Sequence, residues 1–160
     1  MDATDPADIG GPPTLVPLFR IEATIGPPAM VMTAVGTRAP VAVTGGRFRG
    51  DRLSGDVLPG GIDWLLIDAE GIWHVDVSMA LQVDDGPVVA VRYGGRIRLP
   101  DDGMERLLGG GSIAPEEMYF RTAPTFETEP GPYGWLNSVQ ALGVGSLGPG
   151  TVAYDVFEVT

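Results

Sequence analysis

Cysteine and lysine are absent from the chain, and histidine occurs once, at His74. Without a thiol there is no disulfide, no thiolate nucleophile and no cysteine-ligated metal. Without lysine there is no side-chain Schiff base and no phosphate loop of the GxxxxGK[ST] kind. A single histidine gives no ordinary zinc site, and the spacing of the acids matches no calcium loop, so no metal and no cofactor is expected. Long apolar runs are also missing: nothing approaches the roughly 18 residues that a membrane-spanning helix requires. Positive charge is scarce. The 10 basic residues are all arginines and face 21 acids, for a net charge of -11. That balance lacks the positive footprint that nucleic-acid phosphates need and disfavours an anionic bilayer surface. The first residues are acidic, with no basic stretch leading into an apolar one, so no secretory leader is expected and a cytoplasmic protein is.

What the chain does have is turn chemistry and short apolar runs. Glycine occurs 24 times and proline 15 times in 160 residues, while 44% of residues are hydrophobic, enough for a continuous core. Residues 1–13 are acidic and Gly/Pro-rich and read as loosely ordered; residues 14–160 read as one domain. Phe19, Ile21, Ala23 and Ile25 alternate with Arg20, Glu22 and Thr24, a strand pattern closed by Gly26-Pro27-Pro28. Trp73, Val75, Val77 and Met79 alternate with His74, Asp76, Ser78 and Ala80 in the same way. Asp68-Ala69-Glu70-Gly71 and Asp84-Asp85-Gly86 on either side are hairpin signals, so a meander is expected. Gly94-Gly95 reads as a break or bulge in the following strand, and Gly143-Val144-Gly145 as another. Asp102–Leu108 and the turn at Pro115 are the only helix candidates. The fold class is therefore all-β, with about eight to ten strands and one or two helical turns. A small antiparallel barrel, lipocalin-like in general form, best removes the strand edges, with a β-sandwich as the alternative.

Val43–Trp64 is the densest glycine stretch, with Gly45, Gly46, Gly50, Gly55, Gly60 and Gly61. Phe48, Leu53, Val57 and Leu58 interrupt it, so it reads as strand–bend–strand in a barrel wall. No GxGxxG here opens a helix, so a nucleotide loop is not expected.

Several pieces in fixed order resemble the DUF3237 family, also called UPF0311. They are Pro17-Leu18-Phe19-Arg20-Ile21-Glu22, Val43-Thr44-Gly45-Gly46-Arg47-Phe48, Leu58-Pro59-Gly60-Gly61 with Asp63-Trp64, Asp84-Asp85-Gly86, Tyr119-Phe120-Arg121-Thr122, Phe126-Glu127-Thr128, and Tyr133 with Trp135-Leu136-Asn137. The resemblance runs from Leu18 to Val159. It implies a small all-β barrel, a small organic ligand and no catalytic set to carry over.

Candidate chemistry falls into four groups. Arg20 and Glu22 share a strand face. Turned into a lumen they need a partner or a ligand, and the resemblance favours the lumen over a solvated face. His74 and Asp76 share another face, where an acid can fix a histidine tautomer; an outer face is the alternative. Asp63 beside Trp64 is a carboxylate that an aromatic pocket turns into an acid or base. Arg121, Phe126, Glu127, Tyr133, Trp135 and Asn137 mix aromatic and polar groups as a small-molecule pocket does, unless the aromatics plug the barrel and Arg121 pairs with Glu127. The leading expectation is acid–base chemistry of isomerase, lyase or cyclase type on a hydrophobic carbonyl or carboxylate compound. Glu22 or Asp63 then acts as acid or base, and Arg20 or Arg121 holds oxyanion charge. The alternatives are a hydrophobic-ligand carrier and a structural module that self-associates, as homodimer or larger.

Overall fold

The computed structural model describes residues 10–160. The loosely ordered segment expected over residues 1–13 thus falls largely outside the described residues, and 10–14 carry no regular structure. The strands are β1 (Leu15–Ile25), β2 (Val31–Thr33), β3 (Gly36–Arg49), β4 (Ser54–Val57), β5 (Gly61–Ile67), β6 (Trp73–Val83), β7 (Val88–Arg98), β8 (Tyr119–Glu127), β9 (Ala141–Gly148) and β10 (Thr151–Val159). Helix α1 (Gly103–Leu108) and two 3₁₀ turns, at Pro115–Glu117 and Gly134–Ser138, complete the chain.

Hydrogen bonding passes from β1 through β10, β9, β8, β7 and β6, crosses β4 and β5 to β3, and returns to β1. β4 and β5 occupy one place in this ring. β4 lies between Arg47–Arg49 of β3 and Leu81–Val83 of β6, and β5 lies between Thr37–Val43 and Trp73–Ser78. The result is a closed antiparallel barrel of 8 strand positions, with β2 added as a hairpin on the start of β3. Closure leaves no long unpaired edge, which explains how a chain with so little helix stays a discrete body.

The alternation in the sequence is realised strand by strand. In β6, Val75, Val77, Leu81 and Val83 are buried while Asp76 and Ser78 are exposed. In β1, Ile21 and Ala23 are buried and Arg20 and Glu22 are exposed. Pro17 has no N–H to give, and the β1–β10 register shifts between Pro17 and Phe19, so both Leu18 and Phe19 turn inward. Two expected breaks are absent. β7 runs through Gly94-Gly95 in continuous register with both neighbours, and β9 pairs with β10 without interruption from Ala141 to Gly148. The glycines there serve side-chain packing instead: a Cβ on Gly145 would strike the Phe120 ring.

One end of the barrel is filled. Phe19 stacks edge-on against Phe48 at 5.4 Å and Phe126 at 6.0 Å. Leu136, from the 3₁₀ turn, and Leu53 belong to the same continuous core. Phe48 and Leu136 are wholly inaccessible to solvent, and each such side chain contributes about 2–3 kcal/mol by burial. Asn137 pins the plugging turn: its Oδ1 accepts the Thr128 amide at 2.9 Å, and its Nδ2 donates to the carbonyls of Thr128 and Gly134 at 3.1 and 3.0 Å. Asn137→Ala is expected to lose about 1–2 kcal/mol, because Asn137 is exposed and water replaces part of what is lost. A urea midpoint measurement checks this, and an unchanged midpoint would show that the plug holds without the clamp.

Candidate functional site

A second group of rings forms an aromatic layer across the interior. Tyr93 and Phe120 meet the Tyr154 ring edge-on at 5.5 and 5.2 Å. Beyond this layer lies a void of ≈ 80 Å³, lined by Asp63, Trp73, Tyr93, Phe120 and Tyr154 together with aliphatic side chains. Asp63 is the one acid among those lining residues, and no base is among them.

Asp63 reaches the lumen because β5 alternates: Leu65 is buried two residues on, and Trp64 between them faces out, 51% exposed. The β5–β6 register pairs Ile62-Asp63 with Ser78-Val77 and resumes at Leu66 with His74. In between, the Asp76 amide donates to Asp63 Oδ1 at 3.0 Å. Burial pushes the Asp63 carboxyl up to about 6; the Asp76 amide draws it down, and the Asp76 charge adds to the rise. Burial also raises both phenols above the usual tyrosine range, and the Asp63 charge adds to this in each. The void therefore offers a carboxyl that titrates near neutrality and two hydroxyls that stay protonated.

The other candidates lie elsewhere. The expectation that Arg20 and Glu22 turn into the lumen is corrected. Both side chains are more than half exposed, and Arg20 pairs with Glu22 at 3.3 Å and Asp155 at 2.9 Å. Ile21 and Ala23 take the inward positions because they are the apolar face of the strand. His74 and Asp76 also face out. His74 Nε2 sits 2.8 Å from Asp68 Oδ2, and Asp68 additionally accepts the amides of Glu70 and Ile72. The histidine thus braces the β5–β6 hairpin, and with those amides it holds the Asp68 carboxyl below its ordinary range. Arg121 lies on the outer wall, donating to the Phe120 carbonyl at 3.0 Å with its guanidinium 5.2 Å from the Tyr119 ring. No ion pair joins it to the exposed Glu127 among the described residues. Phe126 and Tyr133 belong to the filled end, and Trp135 lies beneath the Arg52 guanidinium at 3.5 Å. Among the described residues, no three His, Asp or Glu side chains converge as metal ligands would.

Trp73, Tyr93, Phe120 and Tyr154 were not singled out by the sequence reasoning. Their signal was phase. Tyr93 is in step with Val89 and Val91, and Tyr154 with Val152 and Val156, all of them buried.

A larger hollow of ≈ 690 Å³ lies on the outside, between β1, β10 and the Ser112–Glu117 segment. Size alone favours it; chemistry does not. Its arginines are already neutralised, Arg20 as above and Arg47 by Asp56 and Asp84.

Fold and interior together define a closed antiparallel β-barrel with a carboxylic acid set among aromatic walls. The chain belongs to the DUF3237 family of proteins of unknown function, whose model matches residues 13–159. The UPF0311 protein RPA1785 of Rhodopseudomonas palustris is 32% identical over 143 residues, covering 89% of this chain and 94% of its own. Its crystal structure, that of a conserved protein of unknown function, matches with a TM-score of 0.88 at 30% identity over 94% of this chain and 100% of that one. A beta-barrel like protein of Acinetobacter baumannii matches at 0.82 and 28% identity, over 96% and 99%. A protein of Penicillium herquei described as an enzyme shares the fold, at 0.71 and 23% identity over 94% and 97%.

Among the described residues, no helix is long and apolar enough to cross a membrane.

Proposed function

We propose that this barrel is a proton-transfer enzyme for a small organic carbonyl compound, with Asp63 as its acid–base group. The observation that carries the reading is the position of Asp63: in the lumen, beside two phenols, with its carboxyl raised to about 6. A base works best when its pKa lies near the working pH, and burial has moved an ordinary aspartate toward that range. In the proposed step, the Asp63 carboxylate takes a proton from the carbon next to the carbonyl. The C–H electron pair moves to form the enolate, and its negative charge collects on oxygen. In this reading the Tyr93 and Tyr154 hydroxyls, from residues that line the same void, donate hydrogen bonds to that oxygen, a contribution that grows in a dry site. The protonated Asp63 then returns its proton to carbon. The void has the room of two or three water molecules at about 30 Å³ each, so the reacting part of the ligand has few heavy atoms.

A carrier of hydrophobic ligands is the second reading, favoured by the aliphatic part of the lining. A carrier needs charge only at its rim, whereas Asp63 stands inside. The enzyme with the same fold in Penicillium herquei adds support for catalysis.

Exchange of the α-protons of butanone in D₂O at neutral pH, followed by NMR, tests the reading. The wild type is expected to accelerate exchange, and Asp63→Asn to lose roughly 10²–10⁴ of that acceleration. His74→Gln, on the outer wall, is expected to match the wild type. Equal rates for wild type and Asp63→Asn would refute the assignment.

A further inference from the structure

The charge distribution of the barrel is sharply divided between its faces. Each arginine in the candidate set lies on the outer surface: Arg20 beside Asp155, Arg121 against Tyr119. Arg47 is likewise outside, between Asp56 and Asp84. The void has one ionisable acid, Asp63, and no cation to balance it. The groups facing Asp63 from adjoining strands do not supply one. β6 contributes the Asp76 amide, and the Asp76 carboxylate adds more negative charge. β7 and β10 contribute the neutral phenols Tyr93 and Tyr154, and β3 contributes Val41 and Val43.

We infer that the lumen selects its ligand by charge, admitting uncharged carbonyl compounds and turning away carboxylates, with Asp63 as the filter. This rests on the lumen being the ligand site, as in the proposed function, and it narrows the substrate class to the uncharged half of what the sequence led one to expect. The physical ground is that two carboxylates a few ångströms apart in a site of reduced dielectric cannot both stay ionised. An uncharged carbonyl escapes that repulsion and still offers an oxygen to the two phenols. A carboxylate would need a guanidinium nearby, and the structure has placed its guanidiniums outside.

Butanone and propanoate test this, because they share a shape and differ in exchanging a methyl group for a charged oxygen. Binding is read at pH 7.5 from chemical-shift changes of the Trp73 indole and Tyr93 ring signals. The wild type is expected to bind butanone at least about tenfold more tightly than propanoate, a difference of about 1.4 kcal/mol. In Asp63→Asn the preference is expected to narrow by at least about threefold, through a gain in propanoate binding, the remainder being the cost of desolvating an unpaired carboxylate. Equal binding of the two by the wild type overturns the inference, as does a preference that the substitution leaves unchanged or a failure of butanone to bind at all. Should the variant fail to fold, the wild-type ratio alone decides between selection and its absence. Binding and proton exchange are separate readouts: charge selection without exchange removes the catalytic reading alone, and exchange without charge selection removes the filter alone.

Discussion

Asp63→Asn is expected to raise the melting temperature at pH 7.5 by roughly 4–8 °C and to leave it nearly unchanged at pH 3.5. The sign follows from proton linkage. The carboxyl titrates at about 6 in the folded chain against an ordinary 3.8. Between those values the native state holds more proton than the unfolded one, so stability falls as pH rises through the window. Above it the penalty is complete, about 2 kcal/mol once the partial exposure of the group is discounted. Asparagine carries no charge at any pH and keeps an Oδ1 to accept the Asp76 amide, so it removes the penalty and little else. Below the window both side chains are neutral and the difference closes. Thermal denaturation of both proteins at the two pH values checks the result. A lower melting temperature for the variant at pH 7.5 would mean that the native state stabilises the charge. A residue retained at a cost to stability, in a chain that asparagine would stabilise, fits a functional role better than a structural one.

Gly46→Val is expected to cost roughly 3 kcal/mol or more and to loosen the seam that closes the barrel. Gly46 lies on β3 opposite Ala23 of β1, the pairing that completes the ring, with φ at 136°. A Cβ there would meet the Glu22 carbonyl oxygen and lie 2.8 Å from the Ala23 Cα. Both obstacles are backbone, so one strand must move away from the other. Gly60 is the comparison. Its φ is 105°, but nothing lies within 4 Å of where its Cβ would stand. Gly60→Val therefore carries conformational strain alone, about 1–2 kcal/mol. Urea unfolding of the two variants separates the effects, and equal losses would show that dihedral strain, not strand approach, fixes glycine at position 46.

The alternating strands were legible because a barrel wall has one wet and one dry face, and β1 and β6 record that difference residue by residue. The same rule held the correct orientation of Arg20 and Glu22, since Ile21 and Ala23 could turn inward only by turning those two out. Asp63 and Trp64 were legible as a pair but not in their order. Adjacent strand residues face opposite ways, and hydrophobicity alone would bury the tryptophan. The structure turns the half-buried aspartate toward the interior because Leu65 fixes the phase of β5, and the Asp76 amide holds its carboxylate. The aromatic layer was hidden for another reason. Tyr93 and Tyr154 are far apart in sequence and come together through separate strands, so each looked like one more core residue. Gly94-Gly95 and Gly143-Val144-Gly145 looked like breaks because a glycine's neighbour across the ladder cannot be seen from its own strand.

The plug of Phe19, Phe48, Phe126 and Leu136 has a kinetic consequence. On the proposed function, a ligand that reaches Asp63 could not pass on through the end that these side chains pack. Entry and exit would then share the other end, so that a product that lingered would block its successor. Turnover in such a vessel would be governed by how readily that single route clears, and product would compete directly with substrate.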